Sequence, residues 1–313
     1  MATTSKTTSM TTTRRNVLAL GGSLAAAVGI GPATAAADTK LFRQIPKSVW
    51  VWNTPPEELG ALSDFARQWN VTRVLLGLRS DTIERLTTGD QRSVSAIAKL
   101  RDHEVEVIAL TGDPSWVQRP DVPRSVSSIL DISARRKLFD GLDLDVEPHA
   151  LPAWHGGEAE RAQLMSGHLE LFRTLAAQAP PLPLGAALHP TYAKMTLPDG
   201  RNYLEALCGT LRSVSLMAYR NRPNATVAWS QPSISVFERA SIPWRSGILV
   251  HESKEANISY TGSPQAEFIA AMAELDGNLR NLAPAKFYRG LIFEDYKGLR
   301  NILASADRLT ISR

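Results

Sequence analysis

Apolar residues in this chain are grouped into eight short runs, and segments with helical periodicity separate many of them. Most of the runs are nearly continuous rather than alternating, which is typical of parallel strands buried on both faces. Strands are predicted over residues 48–52, 71–78, 105–112, 140–147, 182–188, 213–219, 246–253 and 288–296. Helices are predicted over residues 55–69, 91–103, 158–179, 202–209 and 264–282.

Eight buried strands that alternate with helices over about 250 residues predict a single-domain (β/α)₈ barrel. The alternative is an open doubly wound sheet, which favours a Gly-rich phosphate-binding turn after the first strand. The segment "WNTPPEEL", residues 52–59, has no such turn, so the barrel is the preferred fold. The weakest part of the pattern is residues 117–130, where we expect the third helix to be short or irregular.

The fourth predicted strand carries three carboxylates in strict alternation with aliphatic residues. In "FDGLDLDVEPH", Asp143, Asp145 and Glu147 share one face, because side chains of a strand alternate between its two faces. We expect the aliphatic face to pack on the surrounding helices and the acids to point into the barrel. Glu147 then lies at the carboxyl end of the strand, where barrel active sites are found.

Carboxylates at this spacing in a partly dry site cannot all be ionised, so at least one pKa is expected to rise and provide a proton donor. Two other interpretations stay open, namely pairing with buried Lys or Arg residues and a divalent metal site. No His-x-His or His-x-x-x-His pattern accompanies the acids, so the sequence predicts neither a metal ligand nor a cofactor.

The segment "DGLDLDVE" resembles the D-G-x-D-x-D-x-E signature of family 18 glycoside hydrolases, the chitinases and related endo-N-acetylglucosaminidases, at every fixed position. Two other strands are more loosely similar to that family. "LMAYR" resembles its Met-x-Tyr-Asp, and "ALTGD" resembles part of its Ser-x-Gly-Gly.

The resemblance implies a role for each matching residue. Glu147 would protonate the glycosidic oxygen, and Asp145 would orient the N-acetyl group of the substrate, which acts as the nucleophile. Asp143 would hold Asp145 by sharing a proton, and Tyr219 would donate a hydrogen bond to the acetamido oxygen.

The chain departs from the family where the sugar would bind. Arg220 replaces the Asp that follows the sixth-strand Tyr, and it is expected to bind an anionic sugar or to pair with the acids. The eighth strand ends in "FEDY", with Glu294 and Tyr296, where the family has a Trp that floors the sugar subsite. These differences leave the N-acetyl requirement open. If the substrate lacks that group, Asp145 is a candidate base or nucleophile.

Further candidates for sugar binding lie at or just after strand ends. Those in the predicted binding set are Trp50, Trp52, Asp113, Trp116 and Tyr192. His149, His189 and His251 lie near strand ends too, but a single His is more often a structural, hydrogen-bonded residue.

Residues 1–37 have the order of an export signal. Arg14 and Arg15 precede a short apolar run and A-x-A sites that end near Ala35 or Ala37. The paired arginines in "RRNVLAL" resemble a twin-arginine signal, which implies the twin-arginine export machinery as a partner. Residues 38–313 then form the barrel domain, located outside the cytoplasm. The single cysteine, Cys208, allows no intramolecular disulfide, which suits a protein exported in the folded state.

The formal charge changes when the predicted signal is removed. The segment holds three of the 35 basic residues and no acid, so 32 basic and 31 acidic residues remain, a charge of +1 instead of +4. A nearly neutral protein gives little electrostatic reason to bind nucleic acid. No second apolar run predicts a membrane span. We therefore expect an exported glycoside hydrolase with a carbohydrate substrate. The alternatives are a catalytically silent carbohydrate-binding barrel and a metal-dependent hydrolase.

Overall fold

The computed structural model describes residues 32–52, 55, 58–119, 121–178, 182–282 and 286–304. Eight parallel strands pair in sequence order, and the last strand pairs with the first to close the barrel. This confirms the predicted (β/α)₈ fold. The strands are β1 (Lys47–Val51), β2 (Val71–Gly77), β3 (Glu106–Thr111), β4 (Gly141–Leu144), β5 (Leu184–Leu188), β6 (Ser213–Leu216), β7 (Trp244–Leu249) and β8 (Tyr288–Glu294).

Ten α-helices lie within the described residues, and nine of them follow strands. They are α1 (Pro32–Gln44), α2 (Leu59–Trp69), α3 (Ser80–Thr88), α4 (Gln91–Asp102), α5 (Arg124–Arg136), α6 (Glu158–Ala177), α7 (Tyr203–Cys208), α8 (Pro223–Ala240), α9 (Gln265–Leu282) and α10 (Tyr296–Leu303). In the described part of the chain, none of these helices has the length and apolar character needed to cross a membrane.

The expectation of an irregular third helix is wrong in part. A short 3-10 helix covers Pro114–Gln118, but α5 is a regular helix of 13 residues. Pro123 is its N-cap residue with an extended backbone, so the proline precedes the helix instead of interrupting it.

The barrel separates two apolar cores, as the alternation in β4 predicts. A small inner cluster fills the barrel and contains Trp50, Leu75, Ile108, Leu110, Ala187, Met217 and Ile292. Leu142, Leu144 and Val146 belong to the large outer cluster between the strands and the helices. Asp143, on the other face of β4, is only 1% exposed. The acids therefore lie on the inner side of the barrel wall.

Helix α1 packs against α9 and brings Phe42 to the outer core near the start of β1. The ring of Phe42 lies 6.0 Å from that of Phe268 and 6.4 Å from that of Phe293. The predicted boundary at residue 37 falls inside α1, and residues 1–31 of the predicted signal lie outside the described residues.

Candidate active site

A cavity of about 290 Å³ opens at the carboxyl ends of the strands. Its wall combines carboxylates, imidazoles and indoles from opposite sides of the barrel. The lining residues that carry polar or aromatic groups are Trp50, Trp52, Asp145, Glu147, His149, His189, Tyr219, Arg220, Trp229, His251, Glu255 and Glu294. Seven of the twelve predicted site residues therefore meet in one cavity.

Strand β4 is shorter than predicted and ends at Leu144, so Asp145 and Glu147 lie on the segment that leaves it. This segment still follows β3, because the Asp145 amide donates a hydrogen bond to the Thr111 carbonyl at 3.1 Å. Gly112 permits the close approach. A Cβ atom at this position would lie 1.9 Å from the Asp145 carbonyl oxygen. Close packing therefore explains the glycine in "ALTGD", because any side chain at position 112 would displace the backbone that carries Asp145.

Asp145 is a largely buried carboxyl of the cavity. Burial, and then the negative charges of Glu147, Glu294 and Asp143, raise its pKa well above the ordinary value. Its Oδ1 atom is buried and has no hydrogen-bond partner among the described residues. Its surroundings therefore favour the protonated carboxyl over the carboxylate.

Asp143 lies deeper in the barrel than the cavity and does not line it. Burial raises its pKa to about 6, and the charges of Arg73 and Arg245 oppose that rise. Its Oδ1 atom is buried and has no hydrogen-bond partner among the described residues. The Oδ1 atoms of Asp143 and Asp145 therefore do not make the predicted proton-sharing contact. Asp143 acts on Asp145 through its negative charge, which raises the pKa of Asp145.

Glu147 contacts an imidazole that the sequence analysis had treated as structural. His149 lies on the 3-10 turn Pro148–Ala150, which follows Glu147 directly. Its Nε2 atom is 3.0 Å from Oε2 of Glu147, and its Nδ1 atom is 2.8 Å from the Tyr192 hydroxyl. Tyr192 is 1% exposed, so it lies behind the cavity wall and reaches the site through His149.

On the facing wall, the Tyr219 hydroxyl donates a hydrogen bond to Oε2 of Glu294. His251 Nε2 lies 3.7 Å from Oε1 of the same carboxylate. That carboxylate raises the pKa of His251 to about 9, although partial burial opposes the rise. Gly247 leaves room for the phenol ring, because a Cβ atom there would lie 2.9 Å from Cε1 of Tyr219. The sequence prediction for Tyr219 did not anticipate this partner.

Arg220 neither pairs with the acid cluster nor extends freely into solvent. Its Nη1 atom donates to the Tyr219 carbonyl at 2.6 Å, and its guanidinium lies 4.5 Å from the centre of the Trp229 ring. Trp229 comes from α8, and His189 contacts the same indole at a centroid distance of 6.1 Å. Burial lowers the pKa of His189 to about 4, so this imidazole is neutral at pH 7.

Three predicted binding residues lie elsewhere. Asp113 and Trp116 line a neighbouring cleft of about 640 Å³, to which Trp52 also contributes. Asp113 caps the 3-10 helix there by accepting a hydrogen bond from the Ser115 amide at 2.8 Å. Tyr296 is 1% exposed and packs edge-on against Phe65, so it belongs to the outer core.

Sequence reasoning favoured a structural role for His149 and His251, and it missed Trp229 and Glu255 entirely. A His two residues after Glu147 was the available signal for His149. No group of three or more His, Cys, Asp or Glu side chains that could hold a metal ion occurs within the described residues.

No protein-family model and no curated protein matches the chain. Among solved structures, a chitinase from Chromobacterium violaceum matches at 16% identity and a TM-score of 0.40, over 66% of this chain and 68% of that one. A provisionally named alpha-L-fucosidase from Bacteroides thetaiotaomicron matches at 8% identity and a TM-score of 0.52, over 85% and 92%. A provisionally named deoxyribose-phosphate aldolase from Toxoplasma gondii matches at 12% identity and a TM-score of 0.51, over 87% and 99%.

Chitinases are thus among the solved structures that resemble this chain, and the more similar matches share its barrel. A glycosidase and an aldolase have nearly equal TM-scores, so the fold does not select a reaction. At a TM-score of 0.40, the likeness to the chitinase is too distant to support an argument about function.

Proposed function

We propose that this protein is an exported glycoside hydrolase in which Glu147 is the general acid. The observation that carries the proposal is the pairing of two unlike carboxyls in one cavity. Asp145 is buried with a raised pKa, and the Oε2 atom of Glu147, two residues further on, lies 3.0 Å from an imidazole nitrogen. Glycosidases use carboxyl groups whose different surroundings give them different protonation states, so that one can act as an acid.

Glu147 is accessible to a substrate, since its side chain is 34% exposed. In the proposed reaction it gives its proton to the glycosidic oxygen as the bond to the anomeric carbon breaks. Asp145 lines the same cavity, and its burial favours the protonated carboxyl. The negative charge left on Glu147 then stabilises the developing positive charge on the sugar ring.

The cavity suits a sugar in size and in surface. At about 290 Å³ it lies at the lower end of small-molecule sites, which favours one buried ring with the rest of the glycan outside. Trp52 and Trp229 line it and provide apolar ring faces for the C–H side of a sugar.

Export belongs to the same proposal. The twin arginines, the short apolar run and the small residues up to Ala37 support delivery of the folded protein by the twin-arginine route. A glycan-cleaving enzyme outside the cytoplasm has access to polysaccharides that do not enter the cell.

The test is hydrolysis of fluorogenic aryl glycosides and soluble polysaccharides by wild type, Glu147→Gln and the matched control Glu274→Gln. Glu274 is exposed on α9, outside the cavity. Glu147→Gln is expected to lower kcat by about 10²–10⁴-fold, because it removes the transferable proton. The control is expected to retain the wild-type rate, and both variants the wild-type melting temperature.

Unchanged hydrolysis by Glu147→Gln would exclude Glu147 as the acid. Loss of activity on dialysis against EDTA would support the metal-dependent alternative instead. If the wild type binds a glycan in calorimetry but cleaves none, the carbohydrate-binding alternative is correct.

A further inference from the structure

Glu294 is a further carboxylate of the cavity and has its own set of partners. It is the last residue of β8, which is four strands away from β4 in either direction around the closed barrel. Glu147 and Glu294 therefore reach the cavity from opposite walls. The Glu294 side chain is 24% exposed and can contact a bound sugar.

Both oxygens of Glu294 face a side chain that can donate a hydrogen bond. Tyr219 donates its hydroxyl proton to Oε2, and burial raises the pKa of this phenol so that the proton stays on Tyr219. His251 faces Oε1, and its pKa of about 9 makes it a cation at pH 7. Asp145 is different, since its pKa is raised and its Oδ1 atom has no partner.

The Tyr219 contact bears on the choice of nucleophile. In the mechanism that the sequence resemblance implies, this hydroxyl donates to the acetamido oxygen of the substrate. A phenol has one proton to donate, and here Glu294 receives it. The phenol that would bind an acetamido group thus already has Glu294 as its acceptor.

We propose that Glu294 is the catalytic nucleophile and that the preferred sugar has a hydroxyl at C2 instead of an acetamido group. This inference rests on the proposed glycosidase function. In the first step a Glu294 oxygen bonds to the anomeric carbon while the bond to the leaving oxygen breaks, and Glu147 transfers its proton to that oxygen. In the second step water bonds to the anomeric carbon, its proton passes to Glu147, and the ester to Glu294 breaks. One water is consumed, and the anomeric configuration is retained.

The experiment uses the full chain and pairs of aryl glycosides that differ only in the C2 substituent. Both anomers of the glucose and galactose compounds are compared with their 2-acetamido counterparts. We expect the 2-hydroxy member to have at least a tenfold higher kcat/KM. Glu294→Gln is expected to lower kcat by about 10³-fold or more, and Glu274→Gln to leave it unchanged.

Two readouts distinguish a nucleophile from a structural carboxylate. A 2-deoxy-2-fluoro glycoside with a good leaving group is expected to add one sugar mass to the peptide that contains Glu294. With Glu294→Ala, azide is expected to restore turnover and to give a glycosyl azide of inverted configuration. A merely structural loss would not be rescued by azide.

Cleavage restricted to 2-acetamido sugars, with Glu294→Gln within about tenfold of the wild-type rate, would overturn the nucleophile assignment and leave the glycosidase function intact. A sugar adduct on Asp145 would also overturn it. If Glu147→Gln and the wild type are equally inactive on every glycoside, the proposed function fails, and this inference fails with it.

Discussion

The imidazole of His149 connects Glu147 to Tyr192. His149 Nε2 lies 3.0 Å from Glu147 Oε2, and Nδ1 lies 2.8 Å from the phenol oxygen. Burial raises the pKa of Tyr192, so the phenol keeps its proton and can donate it to Nδ1 of His149. When Tyr192 donates to Nδ1, the imidazole carries a proton on Nε2, the nitrogen that lies 3.0 Å from Glu147 Oε2. His149 thereby orients the proposed acid.

Removing the Tyr192 hydroxyl should impair proton transfer by Glu147 while Glu147 itself remains in place. We expect Tyr192→Phe to lower kcat by about 10–100-fold with little change in KM, because the imidazole can then adopt the wrong tautomer. The pH–rate profile is expected to shift on the limb assigned to the acid. The measurements are kcat and KM from pH 4 to pH 9.

Tyr203→Phe is the matched control for this change. Tyr203 is also buried and hydrogen-bonded to an imidazole, Nδ1 of His168 at 2.5 Å, but neither residue lines the cavity. If both variants lower kcat equally and leave the pH profile unshifted, the loss is structural, and the positioning role of His149 is wrong.

Arg220 is expected to select for charge on the sugar. Its guanidinium is fixed by Trp229 and the Tyr219 carbonyl at the cavity wall. Remaining N–H groups of a fixed guanidinium bind a carboxylate strongly. We predict that Arg220→Gln raises KM about tenfold for aryl glucuronides and by no more than a few-fold for the matching glucosides.

Arg222→Gln is the control for Arg220, because Arg222 is exposed and lies outside the cavity. Equal changes in KM for the acidic and the neutral substrates would show that Arg220 acts through packing on Trp229 and not through its charge.

Lys47 should make stability depend on pH. It is fully buried, its Nζ atom donates to the Ile45 carbonyl at 2.8 Å and also to that of Phe42, and it lies over the Phe42 ring. Burial lowers its pKa from 10.5 to about 7, while Asp276 opposes and Arg43 supports that shift. Between pH 7 and 10.5 the unfolded chain therefore binds more protons, so the free energy of unfolding rises with pH across this window.

Lys47→Met removes this titration. Relative to the variant, the wild type is expected to gain on the order of 1–4 kcal/mol of stability from pH 6 to pH 9. Urea unfolding at pH 6, 7.5 and 9 measures the difference, and Lys99→Met, at an exposed position of α4, is the control. Parallel pH curves for wild type and Lys47→Met would contradict the lowered pKa.

The strands could be predicted because burial on both faces leaves a continuous apolar signal in the sequence. The helix α8 could not, because it contains Pro232, which is a strong local signal against a helix interior. Trp229 was missed for that reason. Asp145 and Glu147 follow from alternation along one strand. The partner of Tyr219 depends instead on where β6 and β8 end in the closed barrel, and no local pattern encodes that.

The contacts of α1 limit how far the chain can be shortened from its N-terminus. Phe42 contacts two phenylalanine rings and also the ring of Trp69 at 6.0 Å, and its carbonyl accepts a hydrogen bond from Lys47. A peptidase that cuts after Ala37 removes none of these groups. A cut after Ile45 would remove the two carbonyls that accept hydrogen bonds from Lys47 and leave its side chain buried without them. The distance between a harmless cut and a destructive one is about two turns of α1.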